Sequence, residues 1–362
     1  MMLGRLNLYL IRRFAVWIGI TGAAFGAIAI LGDFLEMLRL TNRINMGAGD
    51  AFYFTMLRLP LLLIDFLPFI FLFSAVFCLL RMSQAQELAV IRAAGVSVWQ
   101  FLLPILSFTF LLAALIVAII EPLGTTSFKR FTDIKNAATG VKPTLSFSTG
   151  GIWFRENSDK GNYIIHAEKL DVNNPQRLLN VEILHFDSEG SFSHRVEAKS
   201  AWLENERFAL SEARLFDNNI ATDMAANTEL ASSLGDTNLG ESFLPAKAVN
   251  IWSLPGYISR AAQTGIDTTR HEVRFQSLLA LPLLLMSMVM VAACFSLPTG
   301  RMVSTGQTLG LAVLCGFLLF LTNDFAQLLG ELGSLPPILS SWIPALIAML
   351  LSVSYLLSTE DG

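Results

Sequence analysis

The feature that most restricts this chain is the gathering of its apolar residues into six long runs, three on either side of one polar block. At 1.5 Å of rise per residue, about 20 apolar residues in a helix cross the hydrocarbon core of a bilayer. Phe14–Gly32 carries no charge, Leu59–Leu80 carries only Asp65, and Ala93–Ile120 carries none. Phe275–Gly300, Met302–Asn323 and Leu332–Thr359 are also uncharged, with Arg301 in one gap and Asp324–Glu331 in the other. Charge follows the same map. The chain holds 25 Lys and Arg and 29 Asp and Glu, of which 16 and 19 fall between residues 122 and 274. With 53% apolar and 15% charged residues, against about a quarter charged in ordinary soluble domains, a single soluble fold is excluded. The pattern predicts an α-helical membrane protein with six transmembrane helices, three plus three, and an inserted water-facing domain. Residues 1–121 hold helices one to three, 122–274 the domain, and 275–362 helices four to six.

Arginine placement orients the spans. With the N-terminus inside, Arg5, Arg12, Arg13, Arg81, Arg92 and Arg301 are cytoplasmic, while Arg39, Arg43 and Arg58 are outside. Both termini are then cytoplasmic and the inserted domain is external to the inner membrane. The first run is longer than a signal-peptide core and lacks a polar segment before Ala27-Ile28-Ala29, so it reads as an uncleaved span. The middle block reads as all-β. Val181–Asp187, His194–Leu203 and Phe208–Phe216 are strand-length runs separated by the turns Ser188–Ser191 and Glu204–Arg207, and Ile152–Arg155 and Asn162–Ala167 are two more. Short strands at this spacing predict a sandwich or a jelly roll. Residues 218–242, rich in Asn, Thr, Ser, Ala and Gly, are expected to form a loop.

No catalytic signature stands out. There is no phosphate-binding G-x-x-x-x-G-K-[ST], no G-x-S-x-G and no H-E-x-x-H. The four histidines have no ligand spacing, so no metal site is expected. A net charge of −4 without a basic run gives no nucleic-acid signature. The cysteines Cys78, Cys294 and Cys315 all lie in apolar runs, so no disulfide framework is expected in the polar domain. The most informative polar segment is Arg81–Ser97, between spans two and three. It is helix-prone through Ala94 and ends at Gly95, which suits a helix C-terminus. Leu88 and Ile91 share a face at i, i+3, and Glu87 and Arg92 offer charges. Such a helix, about 82–95, is either a docking element for another protein or a solvated loop between spans.

The string Glu87-Leu-Ala-Val-Ile-Arg-Ala-Ala-Gly95 resembles the coupling-helix signature of the LptF/LptG lipopolysaccharide export permeases. The resemblance extends along nearly the whole chain: the three-plus-three spans, Glu121-Pro122 at the exit of span three, and Gly151-Ile-Trp153 opening the β-domain. Arg270-His-Glu272 before span four, Asp324 in span five and Leu335-Pro-Pro-Ile338 before span six complete it. That last string and the short Ser296-Leu-Pro298 loop favour the LptG-type subunit.

The resemblance implies a non-catalytic permease subunit of an ABC-type exporter in the bacterial inner membrane. It implies four partners: a homologous LptF-type subunit, a cytoplasmic ATPase dimer that holds ATP and Mg, a single-span periplasmic jelly-roll protein, and lipopolysaccharide. No cofactor is expected on this chain. Glu87, Leu88, Val90, Ile91, Arg92, Ala93 and Gly95 would form the coupling helix. Phe66, Phe69, Phe71, Phe73 and Phe77 of span two, with Phe317, Phe320 and Phe325 of span five, are expected either to line an acyl-chain cavity or to pack between helices. Arg39 and Arg43, and Lys129, Arg130 and Lys135, are basic clusters expected either to contact lipid phosphates or to form solvated surface. Asp33 and Glu36 interrupt the first of these and are expected to salt-bridge either a neighbour or the partner subunit. Ile152, Trp153, Phe154 and Ile164 are expected in the groove or the core of the β-domain. Two other readings of the layout are a mechanotransmission-type ABC permease and a receptor or scaffold with a ligand-binding β-domain.

Overall fold

A computed structural model describes residues 2–43, 46–139, 152–158, 161–170, 177–186, 192–204, 207–217, 220–223, 228–231, 246–263, 267–297 and 305–360. Helices α1 (Met2–Arg43), α2 (Ala48–Gln84), α3 (Glu87–Ala93) and α4 (Val98–Leu115) come first. A π-helical turn, Ile116–Ile120, joins α4 to α5 (Glu121–Thr139) without a break. After the β-region come α6 (Leu254–Gln263), α7 (Thr269–Ser296), α8 (Thr305–Glu331) and α9 (Pro337–Glu360). Among the described residues six helices are long and apolar enough to span a membrane: α1, α2, α4 continued through α5, α7, α8 and α9. With the antiparallel sheet between the third and the fourth, they give the predicted class, a helical membrane protein with an inserted β-region.

The chain forms two compact units, one of residues 1–131, 250–252 and 269–362, the other of 132–249 and 253–268. In the membrane unit α2 and α7 form the axis, with 61% of the most apolar stretch of each buried, against 22% for α1 and 17% for α8. Lipid tails are as apolar as leucine, so these helices are held by close packing and polar contacts rather than by expulsion of water. Among the described glycines Gly316 makes the closest approach: a β-carbon there would run into the side chain of Leu72, which has no exposed surface. Thr21 Oγ1 and Ser74 Oγ meet at 2.5 Å between α1 and α2. Trp342 Nε1 donates to Gln276 Oε1 at 3.1 Å between α9 and α7.

The helix ends do not coincide with the ends of the apolar stretches that predict them, because caps set several of them. The third span starts at Val98 rather than Ala93. Gly95 adopts φ +82°; its N–H donates to the Arg92 carbonyl at 2.9 Å and the Val96 N–H to the Ile91 carbonyl at 3.3 Å, the pattern that closes a helix at a left-handed residue. Ser97 then caps α4, its hydroxyl accepting from the Gln100 N–H at 3.3 Å. Asp324 lies inside α8, which continues to Glu331, so the gap expected at Asp324–Glu331 is helical. Pro337, which needs no backbone donor at a first helical position, opens α9. Pro298 and Arg301 lie outside the described residues, as does Gly151.

In the second unit the strands are β1 (Ile152–Ser158), β2 (Gly161–Leu170), β3 (Arg177–Phe186), β4 (Phe192–Glu204), β5 (Arg207–Ser211), β6 (Arg214–Asp217), β7 (Ile220–Asp223) and β8 (Thr228–Ala231). β1 to β4 pair in sequence, all antiparallel. β5 and β6 keep one register along β4, from Ser200↔Ser211 to Arg195↔Phe216. The expected strand Phe208–Phe216 is thus one row, interrupted at Glu212, whose φ is +53°. β7 pairs with β6, and β8 with β5. The run 218–242 therefore contains two strands and is not wholly loop. One face buries Ile165, Ala167, Leu178, Val181, Ile183, Val196, Ala198, Ala201, Phe208, Leu210 and Ala213. The other face carries cross-strand pairs such as Arg195–Glu182 at 3.3 Å and Lys199–Glu212 at 3.0 Å.

The contact at Gly316 yields a test. Gly316→Val should destabilise the α2–α8 contact by about 1–3 kcal/mol, the range for overpacking. The expected readout is a lower melting temperature in detergent, with Gly316→Ala milder and Leu72→Ala restoring part of the loss in the valine background. A valine variant as stable as the parent would show that α8 does not rely on this approach.

Candidate coupling helix and lipid-contact surfaces

The segment between α2 and α4 is a helix of seven residues, α3. Gln86, in the left-handed region at φ +55°, turns the chain out of α2. Leu88 is 9% exposed and Ile91 is half-buried, so the face they share points into the protein. Val90 is 68% exposed, and Arg92, Ala93 and Gly95 are exposed too. The outward surface therefore combines an apolar centre with a cation. Glu87 is directed elsewhere: it accepts from Arg13 of α1 and from the Tyr9 hydroxyl, the latter at 3.0 Å. The Arg13 guanidinium lies 5.7 Å from the Tyr9 ring centre. The Arg13 hydrogen bond holds the Glu87 carboxyl below the usual glutamate range. The sequence offers Glu87 to a partner; in this structure an arginine 74 residues earlier in the chain occupies it, a pairing that no local pattern signals.

The phenylalanines sort by phase. Phe66, Phe69, Phe73 and Phe77 recur at helical spacing and are each half-buried, forming one stripe along α2. Phe25 of α1 packs on Phe66, Phe69 and Phe73 with ring centres 5.9, 6.3 and 5.7 Å apart. On the other side Phe69 meets Phe317 at 6.5 Å and Phe320 at 4.7 Å. Phe71 is out of phase and fully buried against Phe14, so it belongs to the core. Phe317 and Phe325 are 45% and 61% exposed. The stripe thus joins α1, α2 and α8 into one aromatic surface with an open outer edge at α8.

Arg39 and Arg43 are exposed near the end of α1, one turn apart, and Lys129 and Arg130 are exposed on α5, where Lys135 is half-buried. Arg58 is not available in the same way. It binds Asp33 at 2.9 Å, approaches Glu36 at 3.9 Å and lies 5.3 Å over the Phe131 ring. The acidic residues that interrupt the cluster on span one therefore pair with Arg58 of span two. Asp65 is exposed. In the β-region Ile152 and Phe154 lie on β1, opposite Ala167 and Ile165, and Ile164 is half-buried on β2. Among the described residues no group of three or more His, Cys, Asp or Glu is placed to hold a metal.

The Glu87 contact depends on pH with a definite sign. A carboxyl whose folded-state pKa is depressed stabilises the fold above its unfolded value, about 4.3, and this contribution is lost as pH falls through the folded value. Hydrogen exchange of the α3 amides should accelerate as pH drops from about 6 towards 3 beyond the intrinsic rate change. Glu87→Gln should remove that excess, at a cost of no more than about 1 kcal/mol. A wild-type α3 whose corrected exchange ignores pH would refute the pairing.

Comparison with known proteins agrees with this layout. The sequence profile of the family described as "Lipopolysaccharide export system permease LptF/LptG" matches residues 8–358. The chain is 22% identical over 339 residues to the lipopolysaccharide export system permease protein LptG of Haemophilus influenzae, covering 90% of both chains. It is 22% identical over 329 residues to the protein of the same name from Escherichia coli K12, covering 88% of this chain and 89% of that one. With six spans around an inserted sheet and a profile match over nearly its full length, the chain belongs to the LptF/LptG family of lipopolysaccharide export permeases.

Proposed function

We propose that this chain is the LptG-type half of a heterodimeric exporter that withdraws lipopolysaccharide from the inner membrane and passes it to a periplasmic β-jellyroll bridge. The observation that carries this reading is α3. It is a capped helix held on its inner face by Leu88 and by the Arg13–Glu87 contact, and it leaves Val90 and Arg92 outward. A surface helix can transmit force only if one face is fixed to the body and the other is free to dock. The motor is an ATPase dimer on a separate chain, which supplies ATP and Mg, since this sequence has no phosphate-binding loop. Both termini and α3 face the cytoplasm and the sheet lies in the periplasm, as the arginine distribution favours.

The lipid side of the reading rests on the aromatic surface across α1, α2 and α8. Acyl chains need an apolar wall, and Phe66, Phe69, Phe73, Phe317, Phe320 and Phe325 supply one. Lipid phosphates need cations where that wall meets water; Arg39, Arg43, Lys129, Arg130 and Lys135 are the cations assigned. The homologous LptF-type chain covers the remaining open side, and a single-span jelly-roll protein joins the assembly. Ile152, Phe154 and Ile164 lie in the strands assigned to the acyl-chain path through the β-domain.

Val90→Asp is the cleanest probe of the motor contact, because Val90 is exposed whereas Leu88→Asp would disturb the helix itself. The variant should accumulate normally yet lose at least tenfold of its co-purifying ATPase, the scale for removing an apolar anchor and burying a charge at an interface. A photoreactive residue at Phe317 should crosslink to lipopolysaccharide in cells. Undiminished ATPase recovery would reject the coupling role of α3, and the absence of a lipid crosslink would favour a permease that transmits force without carrying lipid.

A further inference from the structure

The pair Glu121-Pro122 sits where the third span changes pitch. Proline has no N–H, so within a helix Pro122 leaves the carbonyl four residues back, that of Ala118, without its donor, and its ring crowds that carbonyl. The helix widens there. Ile116–Ile120 is a π-turn in which the Glu121 N–H donates to the Ile116 carbonyl. The Ala118 carbonyl is taken instead by the indole N–H of Trp252, at 3.1 Å. On the same helical face, three residues on, the Glu121 side chain has no exposed surface. It accepts from the backbone N–H of Ile251 at 3.0 Å and from Thr125 Oγ1 at 3.1 Å, and it faces Arg274 Nη2 of α7 at 3.6 Å.

Two acceptors three residues apart on one helix thus receive two donors from adjacent residues of a distant segment. All of these groups lie in the membrane unit, which the chain revisits only for residues 250–252 between two stretches of the other unit. A carboxylate is expensive to bury without partners, and this one has a backbone donor, a hydroxyl and a guanidinium. Pro122 has a distinct part in the arrangement: an ordinary residue would supply its own N–H to Ala118 and compete with the indole.

We propose that Glu121-Pro122 is a socket for Ile251-Trp252, and that this clasp is a positioning element for lipid transfer. It fastens the exit of span three, the returning segment and Arg274 of span four into one piece, so that the two spans move together. The inference rests on the transport reading above, and its test separates the two.

The test uses the full chain in its purified membrane complex, reconstituted in lipid. Hydrogen exchange of the peptide containing Ile251 is measured alongside lipopolysaccharide transfer and ATP hydrolysis. In Glu121→Ala that peptide should exchange roughly tenfold faster, the scale of one lost hydrogen bond, with Glu121→Gln intermediate because its amide oxygen still accepts. Pro122→Ala should behave like Trp252→Phe, and the double variant should be no worse than either single one, since both act on the Ala118 carbonyl. Transfer should fall several-fold in each while ATP hydrolysis is retained. Trp252 is 70% exposed, so Trp252→Phe keeps the test alive if Glu121→Ala does not fold. Unchanged exchange in Glu121→Ala and Trp252→Phe would overturn the clasp, as would a loosened clasp with undiminished transfer. If the unaltered complex transfers no lipid, the transport reading fails, and the clasp as a structural contact stands or falls on exchange and non-additivity.

Discussion

Hydrocarbon offers no hydrogen bonds, so every irregularity in a spanning helix has to be settled by the protein itself. That constraint organises the membrane unit. Its helices carry prolines at positions 60, 68, 104, 282 and 344, all inside helical segments, and, separately from these, buried hydroxyls find their acceptors in the backbone of their own helix. Thr55 Oγ1 donates to the Ala51 carbonyl at 3.0 Å, Ser74 Oγ to the Ile70 carbonyl at 2.5 Å and Thr109 Oγ1 to the Ile105 carbonyl at 2.8 Å. None of these groups has access to water, since Thr55, Ser74 and Thr109 are all fully buried. The same rule governs Pro122, where the missing donor is replaced by an indole rather than by solvent.

Much of this was legible from the residues, for a physical reason. A span has to be apolar over about 20 positions, so six spans appear as six runs whatever their packing. A stripe such as Phe66, Phe69 and Phe73 shows itself by spacing, since helical phase is a local property; the same spacing sets Phe71 apart. The left-handed end of α3 at Gly95 is local as well. The helix ends were less legible, because local hydrogen bonds and not the apolar run set them: Ser97 caps a third span that starts at Val98, inside the run from Ala93, and α8 runs on through Asp324. In the sheet, β3 alternates from Val181 and β4 from Val196 to Ser200, but Leu178 and Val181 share the buried face across Asn180, whose φ is +50°, and the interruption at Glu212 carries no signature. Glutamate is not a residue type that announces a positive φ.

The site divides in the same way. That α3 exists and which residues cap it follow from nearby sequence. What its charges touch does not, because ion pairs across 74 residues are decided by helix packing. Asp33 and Glu36 illustrate the middle case. Acidic residues near the end of a span invite a partner, yet only the packing of α1 on α2 selects Arg58. That selection changes the electrostatics of the region, since a neutralised Arg58 leaves Arg39, Arg43, Lys129 and Arg130 as its exposed cations.

The two ionic contacts of α1 add to its packing on α2. Only 22% of its most apolar stretch is buried, so the helix packs along one face and leaves the rest open. Arg13 binds Glu87 near one end of the apolar run and Asp33 binds Arg58 near the other. The twenty residues between them span about 30 Å, the thickness of the hydrocarbon core. Charges are tolerable at those two depths and costly in between, where the contact is the neutral Thr21–Ser74 hydroxyl pair. Three polar contacts at the ends and middle of one helix resist sliding, tilting and rotation together. Because the first of them is made by α3, a pull on α3 acts on α1 directly as well as through α2.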